Sequence, residues 1–207
     1  MVITAPVVFG RLHVLPVITD FLALYPQVDI RLTLSDRITQ LVEEHIDLAL
    51  RIGELPDSAM VAIRVGSIRR IICASPAYLA MHGTPEKPPE LAGHSCITFE
   101  GLAAPATWSF GAGKTETAIA VRSRLQVNTA EAAIDAAIGG LGLTKVLSYQ
   151  ADAAVRAGAL RVVLEPFEPQ PWPVSLVHAG QGRLPVKLRA FLDFAGPRLK
   201  ERLTRSL

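Results

Sequence analysis

The stretch from residue 28 to residue 53, VDIRLTLSDRITQLVEEHIDLALRIG, carries the pattern that decides the fold class. Residues 28–34 alternate apolar and polar side chains, which predicts a strand with one wetter face near a sheet edge. Ser35 or Asp36 is a good N-cap for the helix that follows. Residues 45–53 predict a buried strand that ends at a glycine. Strand, helix and strand in this order are typical of a parallel βαβ unit with a right-handed crossover.

The segment before this stretch has the same organisation. Residues 2–5 predict a short strand, and residues 6–25 carry apolar side chains at helical spacing until the Tyr25-Pro26 step ends the helix. The first ~50 residues therefore alternate strand and helix, as in a doubly wound α/β sheet.

The rest of the chain is more often broken by proline and glycine. Residues 61–75 predict strand structure interrupted at Gly66-Ser67, and residues 184–207 predict a basic amphipathic helix interrupted at Gly196-Pro197. Helices are predicted at 76–82, 128–139 and 148–157, and strands at 95–99, 107–110, 117–121, 143–147, 161–164 and 174–177. A last strand and helix that return to the first lobe predict two lobes joined by crossing strands. In such a fold, ligands bind outside the carboxyl ends of strands.

Composition favours a globular protein and argues against several classes. The 207 residues are 50% hydrophobic, which is enough for one large domain or two small lobes. Lys+Arg 21 against Asp+Glu 19 gives a net charge of +2, too small to indicate nucleic acid or a membrane surface as the main partner. No apolar run approaches the ~18 residues of a membrane span. The strand begins at Val2 with no signal-peptide pattern before it, so we expect a chain cut from a longer protein.

The sequence lacks the common motifs of enzymes and metal sites. It has no GxSxG, P-loop, CxxC, HExxH or GxGxxG pattern, and its histidines have no metal-ligand spacing. The glycine-rich run from Gly139 to Gly142 follows a helix and precedes a strand, which predicts a helix C-cap and tight turn instead of a phosphate loop. His13 is expected on the exposed or flanking side of the first helix. We therefore predict no catalysis, no cofactor and no metal.

Two cysteines, Cys73 and Cys96, lie in apolar strand-like runs. Cysteine behaves as a small hydrophobic residue in protein cores, so we expect two reduced, buried thiols. A redox pair is the alternative, although only Arg69, Arg70 and His94 are near enough in sequence to lower a thiol pKa.

Several segments resemble the effector domains of LysR-type transcriptional regulators. They are ITAPVVFGR at 3–11, LPVITDFLALYP at 15–26, LTLSDR at 32–37, LVEEHIDLALRIG at 41–53, ICASPAYL at 72–79 and LAGHSCI at 91–97. The segment at 41–53 is the most specific match. The resemblance covers essentially all 207 residues and is strongest before residue 100. The SDR and ASPAYL segments look most like the subgroup that includes the CrgA regulators.

The resemblance implies an α/β fold like that of type 2 periplasmic binding proteins, with two Rossmann-like lobes joined by crossing strands. Lobe I would be residues 1–70 and 175–207, and lobe II residues 71–174. A helix-turn-helix domain would precede Met1, so DNA would be bound only outside this chain. The resemblance also implies a cytoplasmic protein that binds a small-molecule effector in the cleft between its lobes. The alternative with the same fold is the solute-binding protein of a transport system, and the missing motifs disfavour an enzyme.

The effector site is expected at strand ends and strand-to-helix junctions, where this topology places ligands. The expected residues are Pro6, Val7, Val8, Phe9, Ser35, Asp36, Arg51, Phe99, Asn128, Thr129 and Thr144. The side chains of residues 7–9 carry no donor, so polar contacts there are expected from backbone N–H groups. Related regulators imply a homodimer that pairs the helix at 35–45 and the strand at 28–34 with lobe II of the partner. A tetramer of the full-length protein is left open.

Overall fold

The computed structural model describes residues 1–37, 41, 43–55, 60–99, 106–111, 116–180 and 184–204. The chain divides into two compact units, the first formed by Met1–Ile68 with Trp172–Ser206 and the second by Arg69–Pro171. The backbone therefore leaves the first unit once and returns to it once. Each unit is built on a sheet of five strands.

The helices and strands follow one another in chain order, and the described residues also form short 3-10 turns at Pro88–Gly93 and Glu165–Phe167. They are β1 (Val2–Ala5), α1 (Val7–Leu24), β2 (Arg31–Leu34), β3 (Leu48–Ile52), β4 (Met60–Ile68), β5 (Arg70–Ala74), α2 (Pro76–His82), β6 (Cys96–Phe99), β7 (Thr107–Phe110), β8 (Thr117–Ala120), β9 (Ser123–Val127), α3 (Ala130–Ile138), β10 (Leu143–Leu147), α4 (Ser148–Arg156), β11 (Arg161–Val163), β12 (Trp172–Ala179) and α5 (Val186–Thr204).

The first unit has the strand order β2-β1-β3-β12-β4. Strand β1 pairs in parallel with β2 and β3, and β12 pairs antiparallel with β3 and β4. Parallel pairing of the first strands confirms the predicted βαβ pattern, and β2 lies at the sheet edge as its alternation indicated. Helices α1 and α5 meet through Phe21, whose ring lies 5.1 Å from Phe191 and 5.4 Å from Phe194 in edge-on contacts.

Helix α1 is long and apolar enough, by length and composition alone, to cross a membrane. Its 18 residues have a mean hydropathy of 1.7, although polar residues interrupt the apolar ones along the sequence. The helix carries Val17, Ile18 and Phe21 in the buried core of the first unit. This burial is typical of the core helix of a globular unit. A π-helical turn, Gly10–Val14, interrupts its α-helical hydrogen bonding.

The second unit has the strand order β11-β5-β10-β6-β9 and a separate two-stranded hairpin of β7 and β8. Strands β6, β9 and β10 run parallel, whereas β5 runs antiparallel to β10 and β11. The hairpin places Trp108 and Phe110 against one face of the sheet, and α3 places Ala133 and Ala137 against the other. The sequence did not predict β9, because its alternation of exposed and half-buried residues has little apolar material.

Strand β4 runs unbroken through Gly66-Ser67, where the sequence predicted an interruption. The register to β12 shifts at this place, from Val174 opposite Gly66 to Ser175 opposite Arg64. Val65 is thus an extra residue on β4, and the glycine marks a β-bulge instead of the end of a strand.

Helix α5 also runs unbroken, through Pro197, so the predicted interruption is wrong. Proline removes one backbone donor, but the neighbouring turns are fixed by packing. Phe194 and Leu199 are buried on either side of it. The Arg198 guanidinium lies 3.6 Å from the centroid of the Phe194 ring and donates to the Phe194 carbonyl.

Two further predictions concern the first unit. His13 is only 9% exposed and its ring centroid lies 4.6 Å from that of Phe9, so the expected exposed or flanking position is wrong. The helix predicted at 35–45 falls partly on residues 38–40 and 42, which lie outside the described residues.

The glycine-rich run forms the predicted helix C-cap and tight turn. Gly139 caps α3, and Gly140 has a positive φ of 82°. Gly142 then passes so close to β6 that a Cβ atom on it would lie 2.1 Å from the Ser95 carbonyl oxygen. Because that neighbour is backbone, a side chain at Gly142 would force β6 and β10 apart.

We predict that Gly142→Ala lowers the free energy of unfolding by about 1–3 kcal/mol, the usual cost of overpacking. Gly93→Ala is the matched control, because no atom lies within 4 Å of its added Cβ. It should change stability by less than about 0.5 kcal/mol. Urea denaturation of both variants measures the difference, and equal stabilities would contradict the close approach.

Lys145 places a cation in the core of the second unit. It is 7% exposed, and its Nζ donates to the Ser109 carbonyl of β7 at 3.2 Å. The pKa of Lys145 is lowered to about 8, mainly by burial and also by the positive charge of Arg70, while the charge of Glu116 partly opposes both. The folded protein therefore binds this proton less tightly than the unfolded chain does.

We predict that this lysine makes stability depend on alkaline pH. Because the folded pKa, about 8, lies below the unfolded value of 10.5, the penalty is fully present below pH 8 and is relieved as pH rises toward 10.5. Lys145→Met should therefore raise the free energy of unfolding most at pH 7, by about 1–2 kcal/mol after loss of the Ser109 hydrogen bond. Its advantage should shrink by pH 10. The contribution of the cysteines to the pH dependence cancels when the free energies of unfolding of variant and parent are subtracted. A difference in free energy that does not change with pH would contradict the lowered pKa of Lys145.

Candidate functional site

In the first unit, the segments after β1 and β2 lie side by side at the carboxyl edge of the sheet. The Ser35 amide donates to the Ala5 carbonyl at 2.9 Å, and the Val7 amide donates to Oδ1 of Asp36 at 3.1 Å. These bonds hold the N-terminus of α1, residues 6–9, against the Ser35-Asp36 turn. The carboxylate of Asp36 thus stabilises the positive end of the helix.

The first turn of α1 offers backbone donors more than side chains. Val7 is 38% exposed, whereas Val8 and Phe9 are buried at 6% and 0%. The N–H groups of Val8 and Phe9 lie in the first turn, where a helix supplies no acceptor of its own. Pro6 precedes the helix in extended conformation, and its carbonyl accepts from the Gly10 amide.

Arg51 supplies a cation at the same edge. It lies near the end of β3, opposite Ser175 of β12, and just beyond the level at which β1 ends. It is half-buried. Burial lowers its pKa, and the charge of Glu44 partly offsets this effect. A partly desolvated guanidinium at a strand end is suited to recognise an anionic group.

In the second unit, Phe99 and the start of α3 occupy the carboxyl edge. Phe99 is the last residue of β6 and pairs with Val127, the last residue of β9. Asn128 and Thr129 follow directly and are exposed, and Oγ1 of Thr129 accepts from the Ala132 amide as the helix N-cap. Phe99 itself is 6% exposed. The parallel strands β6 and β9 therefore bring these three expected residues together.

Thr144 lies apart from this edge. It is fully buried near the amino end of β10, in register with Ile97, whose carbonyl accepts its hydroxyl hydrogen at 3.2 Å. The expected residues therefore form two groups, one at the carboxyl edge of each sheet, and Thr144 lies in the core beneath the second group.

Two buried hydroxyls were missed by the sequence analysis. Oγ1 of Thr4 and Oγ of Ser148 are buried and have no hydrogen-bond partner among the described residues. Thr4 is next to the last residue of β1, and Ser148 begins α4 directly after β10. The strand-end rule applied to β10 would have selected Ser148, whereas nothing in the sequence distinguishes Thr4 from an ordinary strand residue.

Cys73 and Cys96 are free and buried. They flank β10 on opposite sides, Cys73 in register with Thr144 and Cys96 with Leu143. Neighbouring residues of a strand point to opposite faces, so the two thiols belong to different core clusters. Burial raises the pKa of each to about 12. This geometry opposes a disulfide between them.

No group of three or more His, Cys, Asp or Glu side chains that could hold a metal ion occurs in the described part of the chain. The polar groups at both edges are hydroxyl, amide, guanidinium and backbone N–H groups, together with the Asp36 carboxylate, which already accepts from the Val7 amide. Such groups can bind a small polar or anionic molecule, and they include no nucleophile paired with a base.

Comparison with known proteins identifies regulators as relatives. The chain is 34% identical over 198 residues to a probable HTH-type transcriptional regulator, LtrA, of Klebsiella pneumoniae, covering 94% of this chain and 64% of that protein. It is 31% identical to the HTH-type regulator CrgA of Neisseria meningitidis, covering 88% of this chain and 62% of that protein. The chain thus spans less than two thirds of the relatives that it matches. They are transcriptional regulators, which supports a regulator over a transport protein or an enzyme.

Solved structures agree with these relatives. The CrgA regulatory domain from Neisseria meningitidis superposes with a TM-score of 0.81 at 27% identity, covering 98% of both chains. The regulatory domain of AphB from Vibrio vulnificus gives a TM-score of 0.81 at 25% identity, covering 94% of this chain and 96% of that one. Both are regulatory domains of the type 2 periplasmic-binding-protein-like fold that the resemblance implied. Residues 1–200 match the sequence model of the family described as the LysR substrate binding domain, and the chain belongs to this family of effector-binding domains.

Proposed function

We propose that this chain senses a small-molecule effector for a LysR-type transcriptional regulator, and that the effector binds in a cleft between lobe I (1–70 and 175–207) and lobe II (71–174). Family membership carries the proposal, and the two groups of polar residues at the carboxyl edges support it. The function rests on binding alone, with no catalytic step and no cofactor.

The chemistry of the first group favours an anionic or strongly accepting effector. Oγ of Ser35 accepts from the Arg37 amide at 3.2 Å, so the Ser35 hydroxyl hydrogen is left to donate to a ligand. The amides at the start of α1 and the Arg51 guanidinium are donors as well. In the second group, the exposed amide of Asn128 offers both a donor and an acceptor. A small carboxylic acid fits this set best.

Effector binding would act by shifting an equilibrium between two arrangements of the regulator. A ligand shifts such an equilibrium only as far as its affinities for the two states differ. We place DNA recognition in a helix-turn-helix domain encoded upstream of Met1, and the regulator in the cytoplasm. A gene lacking such a domain upstream would contradict this assignment and favour a transport protein.

We also propose that the domain forms a homodimer in which lobe I of one copy faces lobe II of the other. The strand β2, which among the described residues pairs only with β1, and the segment after it at 35–45 would provide the lobe I surface. An edge strand with unpaired backbone groups is a natural place for a second chain to pack. A tetramer of the full-length regulator is compatible with this surface.

We predict that a screen of small aromatic and aliphatic carboxylic acids yields a ligand that raises Tm, because binding to the native state alone stabilises it. Ser35→Ala and Asn128→Ala should each weaken that ligand about tenfold, the loss expected for one hydrogen bond of ~1.4 kcal/mol. Ser67→Ala, at an exposed position on β4, is the matched control and should bind normally. Binding that survives both Ser35→Ala and Asn128→Ala would place the ligand elsewhere.

We predict that light scattering at micromolar concentration gives twice the 22.3 kDa chain mass. Thr33→Glu, on the exposed side of β2, should shift the protein toward the monomer by charge repulsion at the interface. Ser67→Glu, at an exposed position on β4, the outer strand opposite β2 in the same sheet, introduces the same charge and should remain dimeric. A monomeric parent protein, or dissociation by Ser67→Glu alone, would refute the proposed surface.

A further inference from the structure

A cavity of about 440 Å³ lies in the second unit beside β5 and β11, on the side of the sheet opposite to β9. It is formed where α4 ends and β11, the edge strand, begins. Its volume falls within the range of roughly 300–1,000 Å³ that small-molecule sites occupy. It is lined by Arg69, Ile71, Pro76, Val155, Gly158, Leu160, Arg161, Val162 and Glu165.

The walls of this cavity are aliphatic and preformed. Ile71 and Leu160 are 1% and 2% exposed and belong to the core of the unit, so the floor is fixed. Val155 and Val162 pack partly against the same core. Gly158 turns the chain with a φ of +71°, and no atom lies within 4 Å of where its Cβ would be. The glycine thus leaves the space open.

The rim of the cavity carries an ion-pair clasp made by Arg69, Glu165 and Glu168. Nε and Nη2 of Arg69 donate to the two carboxylate oxygens of Glu168, both at 2.8 Å, and Nη2 also donates to Glu165 at 2.8 Å. The Glu168 side chain is 14% exposed and the Glu165 side chain 58% exposed. The hydrogen bonds that Arg69 donates to Glu168 contribute most to the raised pKa of Arg69. Glu168 is therefore the firm partner, and Glu165 is held by one exposed contact that costs little to break.

The clasp joins the two segments by which the chain enters and leaves the second unit. Arg69 is the first residue of the unit, and Glu165 and Glu168 precede its last residue, Pro171. The neighbouring Arg70 adds a second tie, because its Nη2 donates to the Gln170 carbonyl at 2.9 Å. A ligand that replaced Glu165 on Arg69 would remove one contact between the segment that enters the unit and the segment that leaves it.

We propose that this cavity is a second small-molecule site, which takes a medium-chain aliphatic carboxylate whose carboxylate replaces Glu165 on Arg69. Once Glu165 has moved into solvent, the rim presents the guanidinium groups of Arg69 and Arg161. Arg161 already donates to Oγ1 of Thr84 at 2.5 Å, which holds its side chain in place. An apolar chain matches the aliphatic walls, and a guanidinium suits a carboxylate. Within the second unit, β11 and β9 are the two outer strands of the sheet, so the cavity is separate from the group at Asn128.

Hexanoate is the probe, with 1-hexanol and hexylamine as uncharged and cationic analogues of the same chain length. Isothermal titration should show binding of hexanoate to the parent protein and at least tenfold weaker binding of either analogue. Methyl NMR should report the site directly, with the largest shifts at Ile71, Leu160 and Val162. Equal binding of hexylamine, or no binding of hexanoate at 10 mM (roughly the weakest affinity expected of so small a ligand), would overturn the proposal.

Amino-acid substitutions distinguish binding in this cavity from binding elsewhere on the protein. Glu165→Gln removes the competing charge and should tighten hexanoate binding several-fold, whereas Glu86→Gln makes the same change at an exposed position outside the cavity and should have no effect. Val155→Phe, on α4, and Val162→Phe, on β11, should each abolish binding by filling the space. Unchanged affinity in Glu165→Gln, or in whichever Phe variant folds, would overturn the proposal. Loss of hexanoate binding in Ser35→Ala would also overturn it, because the carboxylate would then occupy the effector site.

Discussion

The antiparallel pairing of β12 with β4 is the contact on which the two-unit arrangement depends. It runs from Trp172 opposite Ile68 to Ala179 opposite Met60 and joins strands about a hundred residues apart. The same strand pairs with β3 on its other side, so it completes the sheet and delivers α5 to the core. Closing a loop of this length costs conformational entropy that grows only slowly with length. That cost is reduced if the inserted unit folds with its two ends already close together.

The second unit has contacts that bring its own ends together. Arg69 binds Glu165 and Glu168, and Arg70 binds the Gln170 carbonyl. The entering and leaving segments are therefore joined within the unit itself, which favours β12 reaching its partners. The pairs are only partly buried, so each contributes little to stability. Their importance is geometric, since they fix the positions of the two crossing segments. The exposed contact of Glu165 with Arg69 is the one that a ligand could replace.

The sequence predicted those parts of the fold that local pattern controls. Alternation at 28–34 indicated an edge strand, and β2 is one; the glycine run after α3 indicated a cap and a turn, and it forms both. Failures occur where tertiary contacts outweigh local propensity. Pro197 stays helical because Phe194 and Leu199 are buried around it, and Gly66 bulges within a strand because β12 holds both sides of the bulge. Strand β9 lies at the sheet edge and is mostly polar, so its sequence has no strand pattern. It is a strand because it pairs with β6.

The candidate site was predictable only in the part that topology dictates. Strand ends and helix starts can be counted along the sequence, which is why Ser35, Asp36, Asn128 and Thr129 were expected and do lie at carboxyl edges. Depth within a strand cannot be counted in this way, because it depends on the register with a partner. Thr144 was expected among the site residues for that reason, whereas it lies in register with Ile97 and is fully buried.

The buried hydroxyls of Thr4 and Ser148 have an energetic cost as well as a position near strand ends. A buried polar atom without a partner costs about 1–3 kcal/mol, so most native structures contain few of them. Both atoms lie at or beside the carboxyl end of an inner strand of a sheet, β1 in one unit and β10 in the other. An apolar residue at either place would remove the cost, and valine or alanine would fit a buried strand end. For these two hydroxyls the cost thus falls near strand ends, where an α/β topology places ligands, which is the pattern expected when polarity at a site serves binding and not stability.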